Sequence, residues 1–351
     1  MKSAVFKGPG VITLDEREKP RPQANEILVK VRAASICGTD LKIFRGGHYR
    51  VGQGDVRVLG HELAGDIEEV GANVPYWQVG QRVCVVPNIG CGHCDMCRRG
   101  FNNMCPDYDA FGISIDGGFQ QFMVVTPAAI YGGNLFAVPD SIDYEAASLI
   151  EPLACCFNAW KDVGVTAEDR VLVLGTGPIA ALFLKLAKAY GVRQAIVVGR
   201  RTSRLKEIAA HGASDTVDSS QVDVVDEVMR LTGGRGVDVA LTCAPAPELQ
   251  VQAMAVLAGY GRVSFFSSLN KGTKVELDTN KVHYSGFRLT GSTGASIEDY
   301  ARAMKLVESG QICVKDLLTD RFGMSDALAA FEHALKGNGL KTLLLPQEDT
   351  F

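Results

Sequence analysis

The sequence predicts an α/β protein in which a doubly wound parallel sheet is joined to a barrel-like β domain. Residues 1 to about 150 contain β-branched runs separated by Gly and Pro, a pattern typical of short barrel strands. From about residue 150 to 290, short apolar runs alternate with helical segments, which indicates parallel βαβ units. The remaining residues predict two amphipathic helices and a closing strand.

Each predicted element rests on its hydrophobic period and its flanking turn residues. Strands of the first region are predicted at 26–36, 64–71, 81–87 and 117–125. The middle region predicts buried strands at 171–175, 195–199, 237–243 and 262–267, with helices at 178–190 and 203–212. The last region predicts helices at 297–310 and 325–338 and a strand at 341–346.

Composition and charge exclude several classes of protein. Apolar residues make up 46% and charged residues 22% of the chain, as in globular proteins. A net charge of −4 gives no basic field for nucleic acid or anionic lipid. The first sixteen residues lack an apolar signal core, and no apolar run is long enough to span a bilayer. We therefore expect a cytoplasmic protein with reduced cysteines and no nucleic-acid or membrane partner.

A glycine-rich turn predicts a dinucleotide site. Gly175, Gly177 and Ala180 form the pattern G-x-G-x-x-A, and Pro178 begins the helix that follows the predicted strand. The first glycine allows the tight turn, the second lets the backbone approach a pyrophosphate, and the small third residue lets helix and strand pack closely. Glycine-rich turns also serve only as turns, but the strand and helix context favours the cofactor site.

The next strand bears on which dinucleotide is bound. NAD sites usually carry an acid at its end, where this chain has Gly199 followed by Arg200 and Arg201. Glycine leaves room for a 2′-phosphate, and a guanidinium binds one well. We predict that NADP is preferred and NAD is possible, with Arg204 completing the cofactor set. Alternatively, the arginines are a solvated helix start.

Four cysteines within fifteen residues predict a structural zinc site. Cys91, Cys94, Cys97 and Cys105 have the short spacing of a closed tetrahedral site with four thiolate ligands. Disulfides are disfavoured in a reducing compartment, and nothing else suggests the electron transfer of an iron–sulfur cluster.

A second set of metal-binding residue types is spread along the sequence. Cys37, His61, Glu62 and Glu151 each have an ordinary structural interpretation, as a core thiol, a capped histidine or a surface acid. Together they supply the three protein ligands and the open position of a catalytic zinc. The sequence therefore predicts two zinc ions per chain.

Five motifs carry a resemblance to a known family over essentially the whole chain. They are CGTD at 37–40, GHE at 60–62, the four-cysteine segment, EPL at 151–153 and GTGPIA at 175–180. In this order they resemble the zinc-dependent medium-chain dehydrogenase/reductase superfamily, above all its polyol branch of sorbitol and iditol dehydrogenases. The resemblance implies a GroES-like catalytic domain of residues 1–152 and 292–351 around a Rossmann domain of residues 153–291. It also implies a homodimer or homotetramer.

The resemblance assigns roles around the metal. Cys37 and His61 match ligands of the catalytic zinc, while Glu62 and Glu151 match acids that ligate the metal or hold its water. Glutamate at 151, where simple alcohol dehydrogenases usually have cysteine, points to the polyol side. Asp40 matches the acid that orients the ligand histidine.

Three further residues are assigned by resemblance. Thr39 matches a hydroxyl that relays the substrate proton. His48 extends that relay or is an exposed loop histidine. Lys341 resembles a residue that lines the cofactor cleft.

These features predict an NAD(P)-dependent zinc enzyme that oxidises a secondary alcohol of a polyol, sugar or sugar phosphate. An alternative within the enzyme class is an amino-alcohol dehydrogenase of the threonine type. An alternative from another class is a non-enzymatic redox sensor that binds zinc and nucleotide, but such a sensor needs no proton relay.

Overall fold

The computed structural model describes residues 1–46, 50–51 and 54–349, and the chain divides into two compact units. The two-segment unit comprises Met1–Ala154 and Gly294–Phe351, and the central unit comprises Cys155–Thr293. The boundaries expected from the sequence lay two residues earlier at each crossing.

The described strands are labelled in chain order. They are β1 Lys2–Gly8, β2 Val11–Glu16, β3 Ile27–Ser35, β4 Arg57–Val58, β5 Glu62–Val70, β6 Arg82–Val85, β7 Asn88–Ile89, β8 Asp109–Ala110, β9 Phe122–Val125, β10 Leu135–Ala137, β11 Arg170–Leu174, β12 Gln194–Gly199, β13 Asp215–Asp218, β14 Val237–Thr242, β15 Leu257–Phe265, β16 Arg288–Gly291, β17 Leu318–Gly323 and β18 Lys341–Leu345.

The described helices follow the same convention. They are α1 Gly38–Phe44, α2 Asp95–Arg98, α3 Pro127–Tyr131, α4 Tyr144–Ser148, α5 Ile150–Val163, α6 Pro178–Tyr190, α7 Thr202–Ala209, α8 Val224–Leu231, α9 Pro247–Ala255, α10 Thr279–Ser285, α11 Ile297–Glu308 and α12 Ala327–Lys336. Short 3₁₀ helices lie at Asn102–Met104, Lys315–Leu317 and Met324–Asp326. Within the described ranges, none of these helices is long and apolar enough to cross a membrane.

Strand β3 organises the two-segment unit. It pairs antiparallel with β5 along one edge, and with β9 and then β18 along the other. The sheet order is β10-β6-β5-β3-β18-β17, with β9 added at β3. Because β18 comes from the end of the chain, β3 joins the two segments of this unit. Its side chains are almost all buried, which explains its nearly continuous apolar sequence.

The central unit is a six-stranded parallel sheet. Its strand order is β13-β12-β11-β14-β15-β16, the 3-2-1-4-5-6 order of a doubly wound dinucleotide-binding fold. Strand order reverses between β11 and β14, so the crevice outside the carboxyl ends of these strands is the expected ligand site. Strand β11 is buried from its second residue onward, and β12 likewise, as their apolar runs predicted.

Every strand and helix predicted from the sequence overlaps an observed element, but some strands escaped prediction. Strands β13, β16 and β17 all lie at the edge of their sheets. An edge strand leaves one side unpaired, and these three are only partly buried and mix charged with apolar residues. Neither the alternating nor the continuous apolar pattern therefore marked them.

Candidate functional site

The pairing of β3 with β5 assembles the predicted catalytic metal site. Ser35 and Glu62 are register partners at the end of this antiparallel pair. Cys37 lies just beyond Ser35, before α1, and His61 precedes Glu62. One ligand atom each from Cys37, His61 and Glu62 lies within 4.8 Å of the other two. The sheet register thus brings Cys37 close to two residues that follow it by 24 and 25 positions in the sequence.

Asp40 lies beside the histidine of this set. Its buried carboxylate accepts hydrogen bonds from the backbone N–H groups of Cys37, at 2.9 Å, and Gly60, at 3.2 Å. Its Oδ1 lies 3.5 Å from Nδ1 of His61. This distance is long for a hydrogen bond, so the interaction is mainly the attraction of the carboxylate charge for the ring. Nδ1 therefore faces the acid, and Nε2 is the nitrogen left for a metal.

The charges at the site shift the pKa of His61. Burial lowers this pKa, but the negative charges of Asp40 and Cys37 outweigh burial and raise it well above its ordinary value. The surroundings of the ring therefore favour a positive charge at this position. A metal cation at the same position would supply that charge in place of a proton.

Glu62 is held by a buried network. Its Oε2 accepts hydrogen bonds from the hydroxyl of Ser35 and the ammonium of Lys341. The Lys341 ammonium also donates to the Ile36 carbonyl at 3.2 Å. Lys341 is the first residue of β18, so strands β3, β5 and β18 all contribute to the network. The second carboxylate oxygen, Oε1, is buried and accepts no hydrogen bond within the described residues.

The residues present fit a catalytic zinc ion. Thiolate, imidazole and carboxylate are zinc ligand types, and three protein ligands leave a fourth position for substrate or water. A buried carboxylate oxygen without a donor is costly unless a cation completes it. Oε1 of Glu62, which is buried and accepts no hydrogen bond from a described residue, is therefore available as a ligand atom for zinc.

Other predicted residues lie near this set or cannot be placed. Glu151 is buried at the start of α5, and its charge is among those that raise the pKa of Lys341 against the lowering effect of burial. Within the described part of the chain, however, the compact ligand set does not include it. Thr39 is half-buried in the first turn of α1. His48 lies outside the described residues. The roles of Glu151, Thr39, His48 and Lys341 stay predictions.

The four cysteines of the predicted structural site are brought together. Ligand sulfurs of Cys91, Cys94, Cys97 and Cys105 all lie within 4.8 Å of one another. The Sγ atoms of Cys94 and Cys105 are 3.8 Å apart, far longer than a disulfide bond, and all four thiols are free. Backbone N–H groups of Cys91, Cys94 and Cys97 each point at a cysteine sulfur at 3.4 Å.

Electrostatics of the cysteine cluster favour a bound cation. The backbone N–H groups of His93 and Cys94 lower the pKa of Cys91 to about 6. Burial raises the pKa of Cys97 to about 12, so its ionisation at neutral pH requires a nearby positive charge. A tetrahedral zinc would supply it and would leave no open position for substrate. Asn102, which lies between Cys97 and Cys105, joins this loop to the second segment of the same unit. Its side-chain amide oxygen accepts a hydrogen bond from the backbone N–H of Ile297 at 3.1 Å.

The glycine-rich turn has the geometry that a pyrophosphate requires. Gly175 has φ +134°, which favours glycine, and its N–H donates to Val198 at 3.0 Å. A Cβ at Gly177 would meet no protein atom within 4 Å, so space beside this backbone is open to a ligand. Pro178 is the first residue of α6, and Ala180 is fully buried where helix and sheet pack. These residues fit a dinucleotide at the N-terminus of α6.

At the end of β12, Gly199 is followed by cationic side chains. Arg200 and Arg201 are exposed, and neither guanidinium makes a hydrogen bond or ion pair with a described residue. Arg204 differs, because its side chain is only 10% exposed and pairs with Glu207 at 2.8 Å. Of the three arginines, the first two therefore have the greater freedom to contact a ligand.

Sequence reasoning missed an acid on the neighbouring strand. Asp218 ends β13 as the register partner of Gly199. Its carboxylate accepts from the Thr202 hydroxyl at 2.5 Å and from the backbone and hydroxyl of Ser220 at 3.0 and 2.6 Å. These bonds, with the Ser220 hydroxyl contributing most, lower the pKa of Asp218. Only the strand order reveals this acid, because β13 carries no clear strand pattern.

The comparisons with known proteins cover both units. A family model described as the alcohol dehydrogenase GroES-like domain matches residues 23–135, and one described as zinc-binding dehydrogenase matches residues 178–309. Sorbitol dehydrogenase of Bacillus subtilis is 30% identical over 99% of this chain and 97% of that protein. L-threonine 3-dehydrogenase of Pyrococcus abyssi is 35% identical over 95% and 94%.

Solved structures agree. A zinc-binding dehydrogenase from Sinorhizobium meliloti bound to NADP superposes with TM-score 0.89 at 30% identity, over 98% of this chain and 99% of the other. An alcohol dehydrogenase from Escherichia coli CFT073 complexed with NADH gives TM-score 0.89 at 29% identity, over 100% and 99%. With a GroES-like domain, a Rossmann domain and relatives over nearly its whole length, the chain belongs to the zinc-dependent medium-chain dehydrogenase/reductase superfamily, in the branch that contains the polyol dehydrogenases.

Proposed function

We propose that the protein oxidises a secondary alcohol of a polyol, sugar or sugar phosphate, reversibly and with NADP as the preferred acceptor. The observation that carries this proposal is the open three-ligand set of Cys37, His61 and Glu62 with its uncommitted buried carboxylate oxygen. A site with only three protein ligands leaves a position for a substrate hydroxyl, unlike the closed four-cysteine cluster. We expect the protein to act as a homodimer or homotetramer.

The chemistry divides between the bound groups and the protein's own residues. When bound, zinc supplies Lewis acidity that lowers the pKa of a hydroxyl, and the nicotinamide supplies the hydride acceptor. Asp40 keeps the His61 ring in one orientation through its charge at Nδ1. Thr39, two residues after Cys37, is placed by the sequence to pass the released proton outward. Lys341 neutralises Glu62 and holds its carboxylate in place.

Glu151 is the residue through which the site favours polyols. Its buried carboxylate lies in the electrostatic surroundings of Lys341, as the pKa of that lysine shows. We propose that it either supplies a further ligand or hydrogen-bonds water at the open position. An additional carboxylate beside the metal reduces the positive charge there and accepts hydrogen bonds from hydroxyl-rich substrates.

The two cysteine-containing sets predict two zinc ions per chain. Replacing Cys37 or His61 with Ala should lower the zinc content to one and abolish activity while circular dichroism stays unchanged. Replacing Cys97 with Ser should also lower it to one, but should reduce the melting temperature, because the closed site stabilises its loop. Elemental analysis of purified protein is the measurement.

The exposed Cys313 provides the matched control for this experiment, since it belongs to neither set. Cys313→Ala should keep two zinc ions and full activity. One zinc ion per chain in unchelated wild-type protein would contradict the two-site account. Loss of both ions in the Cys37, His61 and Cys97 variants alike would show that the two sites are not independent.

The second candidate function is oxidation of an amino alcohol. Its support is the 35% identity to an L-threonine 3-dehydrogenase over 95% of this chain, beside the 30% identity to the sorbitol dehydrogenase over 99%. Both functions use the same three-ligand set and differ only in substrate contacts. The resemblance of Glu151 and its surroundings to the polyol branch favours the first.

A substrate panel separates the two candidates. Purified protein would be assayed by nicotinamide absorbance with polyols, sugar phosphates and L-threonine, each with NADP and with NAD. We expect the highest kcat/KM for a member of the polyol or sugar-phosphate group, because a site that hydrogen-bonds several hydroxyls discriminates against substrates that lack them. A higher kcat/KM for L-threonine than for every polyol would favour the second candidate.

NADP preference is supported by charge at the end of β12. Gly199 offers no carboxylate to bond the ribose hydroxyls or to repel a 2′-phosphate. Arg200 and Arg201 have unpaired guanidinium groups within the described residues. The nearby acid Asp218 already accepts hydrogen bonds from Thr202 and Ser220, which occupy much of its capacity.

We expect kcat/KM to be higher with NADP than with NAD. A charge-assisted hydrogen bond contributes about 1.5–3 kcal/mol, which corresponds to roughly tenfold or more in preference. Arg200→Ala should therefore reduce the NADP to NAD ratio by about tenfold. Lys206→Ala, which removes an exposed cation from the helix that follows Arg200, is the control and should leave the ratio unchanged. A wild-type preference for NAD would contradict the proposal.

A further inference from the structure

Glycine at position 199 is not required by the backbone. It is the last residue of β12, and its φ lies outside the left-handed region where only glycine is comfortable. Glycine inside a strand weakens it, because it packs no side chain and loses more conformational entropy. The reason for glycine here must therefore be what surrounds it.

The surroundings of Gly199 leave no room for a side chain. A Cβ placed on Gly199 would lie 2.4 Å from Cγ2 of Thr176 and 3.2 Å from Cδ1 of Leu205. The first distance is much shorter than a van der Waals contact, whereas the leucine methyl lies at the end of a flexible side chain. The Cβ of Thr176 would be 3.6 Å away, an ordinary contact. A single methyl group thus fills the space.

We propose that Thr176 is a specificity-determining residue, because its γ-methyl group excludes any side chain at position 199 and so excludes the acid that would select NAD. This inference rests on the proposed NADP preference and names the residue that maintains it. Thr176 lies between the two glycines of the phosphate-binding turn, so one residue links that turn to the adenosine end of the site.

The fold holds Thr176 in this position. The preceding Gly175 donates its N–H to Val198, next to Gly199, at 3.0 Å. On its other side, a Cβ at Gly175 would lie 3.2 Å from Cβ of Cys243 after β14. The turn is therefore confined between the ends of β12 and β14. Threonine is also stiff at χ1, because it is branched at Cβ.

It follows that an acid at 199 requires a second change. Gly199→Asp alone places its Cβ against Thr176, and the turn that receives the pyrophosphate must shift. Thr176→Ser removes the methyl and keeps the hydroxyl, which leaves Cβ of residue 176 at an ordinary distance. Thr176→Val keeps the methyl and removes the hydroxyl. These two variants separate the effect of the methyl group from that of hydrogen bonding.

The first arm of the test measures stability without cofactor. Gly199→Ala adds only the methyl and should lower the melting temperature by roughly 3 °C or more, as overpacking does. When Gly199→Ala is added to Thr176→Ser, the melting temperature should fall by less than half of the loss that Gly199→Ala causes in the wild-type protein. Relative to Thr176→Val alone, the full loss should remain. An unchanged melting temperature for Gly199→Ala, or an equal loss in all three backgrounds, would overturn the proposal.

The second arm measures cofactor binding to the full-length protein by titration with NAD and NADP. Gly199→Asp alone should weaken both cofactors, whereas Thr176→Ser with Gly199→Asp should shift the ratio of dissociation constants toward NAD by about tenfold. An equal shift in the single variant would overturn the role of Thr176. If the wild-type protein prefers NAD, the proposed cofactor preference fails. The stability measurements still decide whether the Thr176 methyl group excludes a side chain at position 199.

Discussion

The buried ion pair between Glu62 and Lys341 is the constraint on which the two-segment unit depends. The side chains are 1% and 4% exposed, and the residues are 279 positions apart in the sequence. A buried carboxylate without a partner is strongly unfavourable, so Glu62 must find a cation in the fold. Burial lowers the pKa of Lys341, but the charges of Glu62, Cys37 and Glu151 raise it overall. Strand β18 therefore stabilises this unit in two ways. Its apolar residues pack in the core, and its Lys341 supplies the cation that Glu62 requires.

This pair also positions Glu62, one of the three candidate metal ligands. Lys341 and Ser35 both donate hydrogen bonds to Oε2 of Glu62, whereas Oε1 accepts none from a described residue. Asp40 lies 3.5 Å from Nδ1 of His61 and is itself held by hydrogen bonds from backbone N–H groups. Two of the three candidate ligands, Glu62 and His61, thus have partners outside the ligand set. Such support preorganises candidate ligands before a metal binds.

The sequence revealed most of the fold and the candidate metal ligands, because both follow local patterns. Strand period, the glycine-rich turn and the cysteine spacing each occupy a few neighbouring residues. The pairing of Lys341 with Glu62 could not be predicted, since it depends on β18 adding to β3 across the chain. Asp218 was missed because a polar edge strand carries no apolar pattern. The contact of Thr176 with Gly199 required side-chain positions, although both residues lie in motifs that the sequence identified.

The most direct measurement compares the unfolding free energies of Lys341→Met and Lys315→Met by urea denaturation. Both variants remove a lysine from an ion pair, but Lys315 and Asp143 are about half exposed, at 53% and 47%. In metal-free protein, Lys341→Met leaves the buried Glu62 carboxylate without a cationic partner and should cost about 3–5 kcal/mol. Lys315→Met should cost about 0–1 kcal/mol, as exposed pairs do. Equal losses in the two variants would contradict the account, because the Glu62 carboxylate would then need no buried partner.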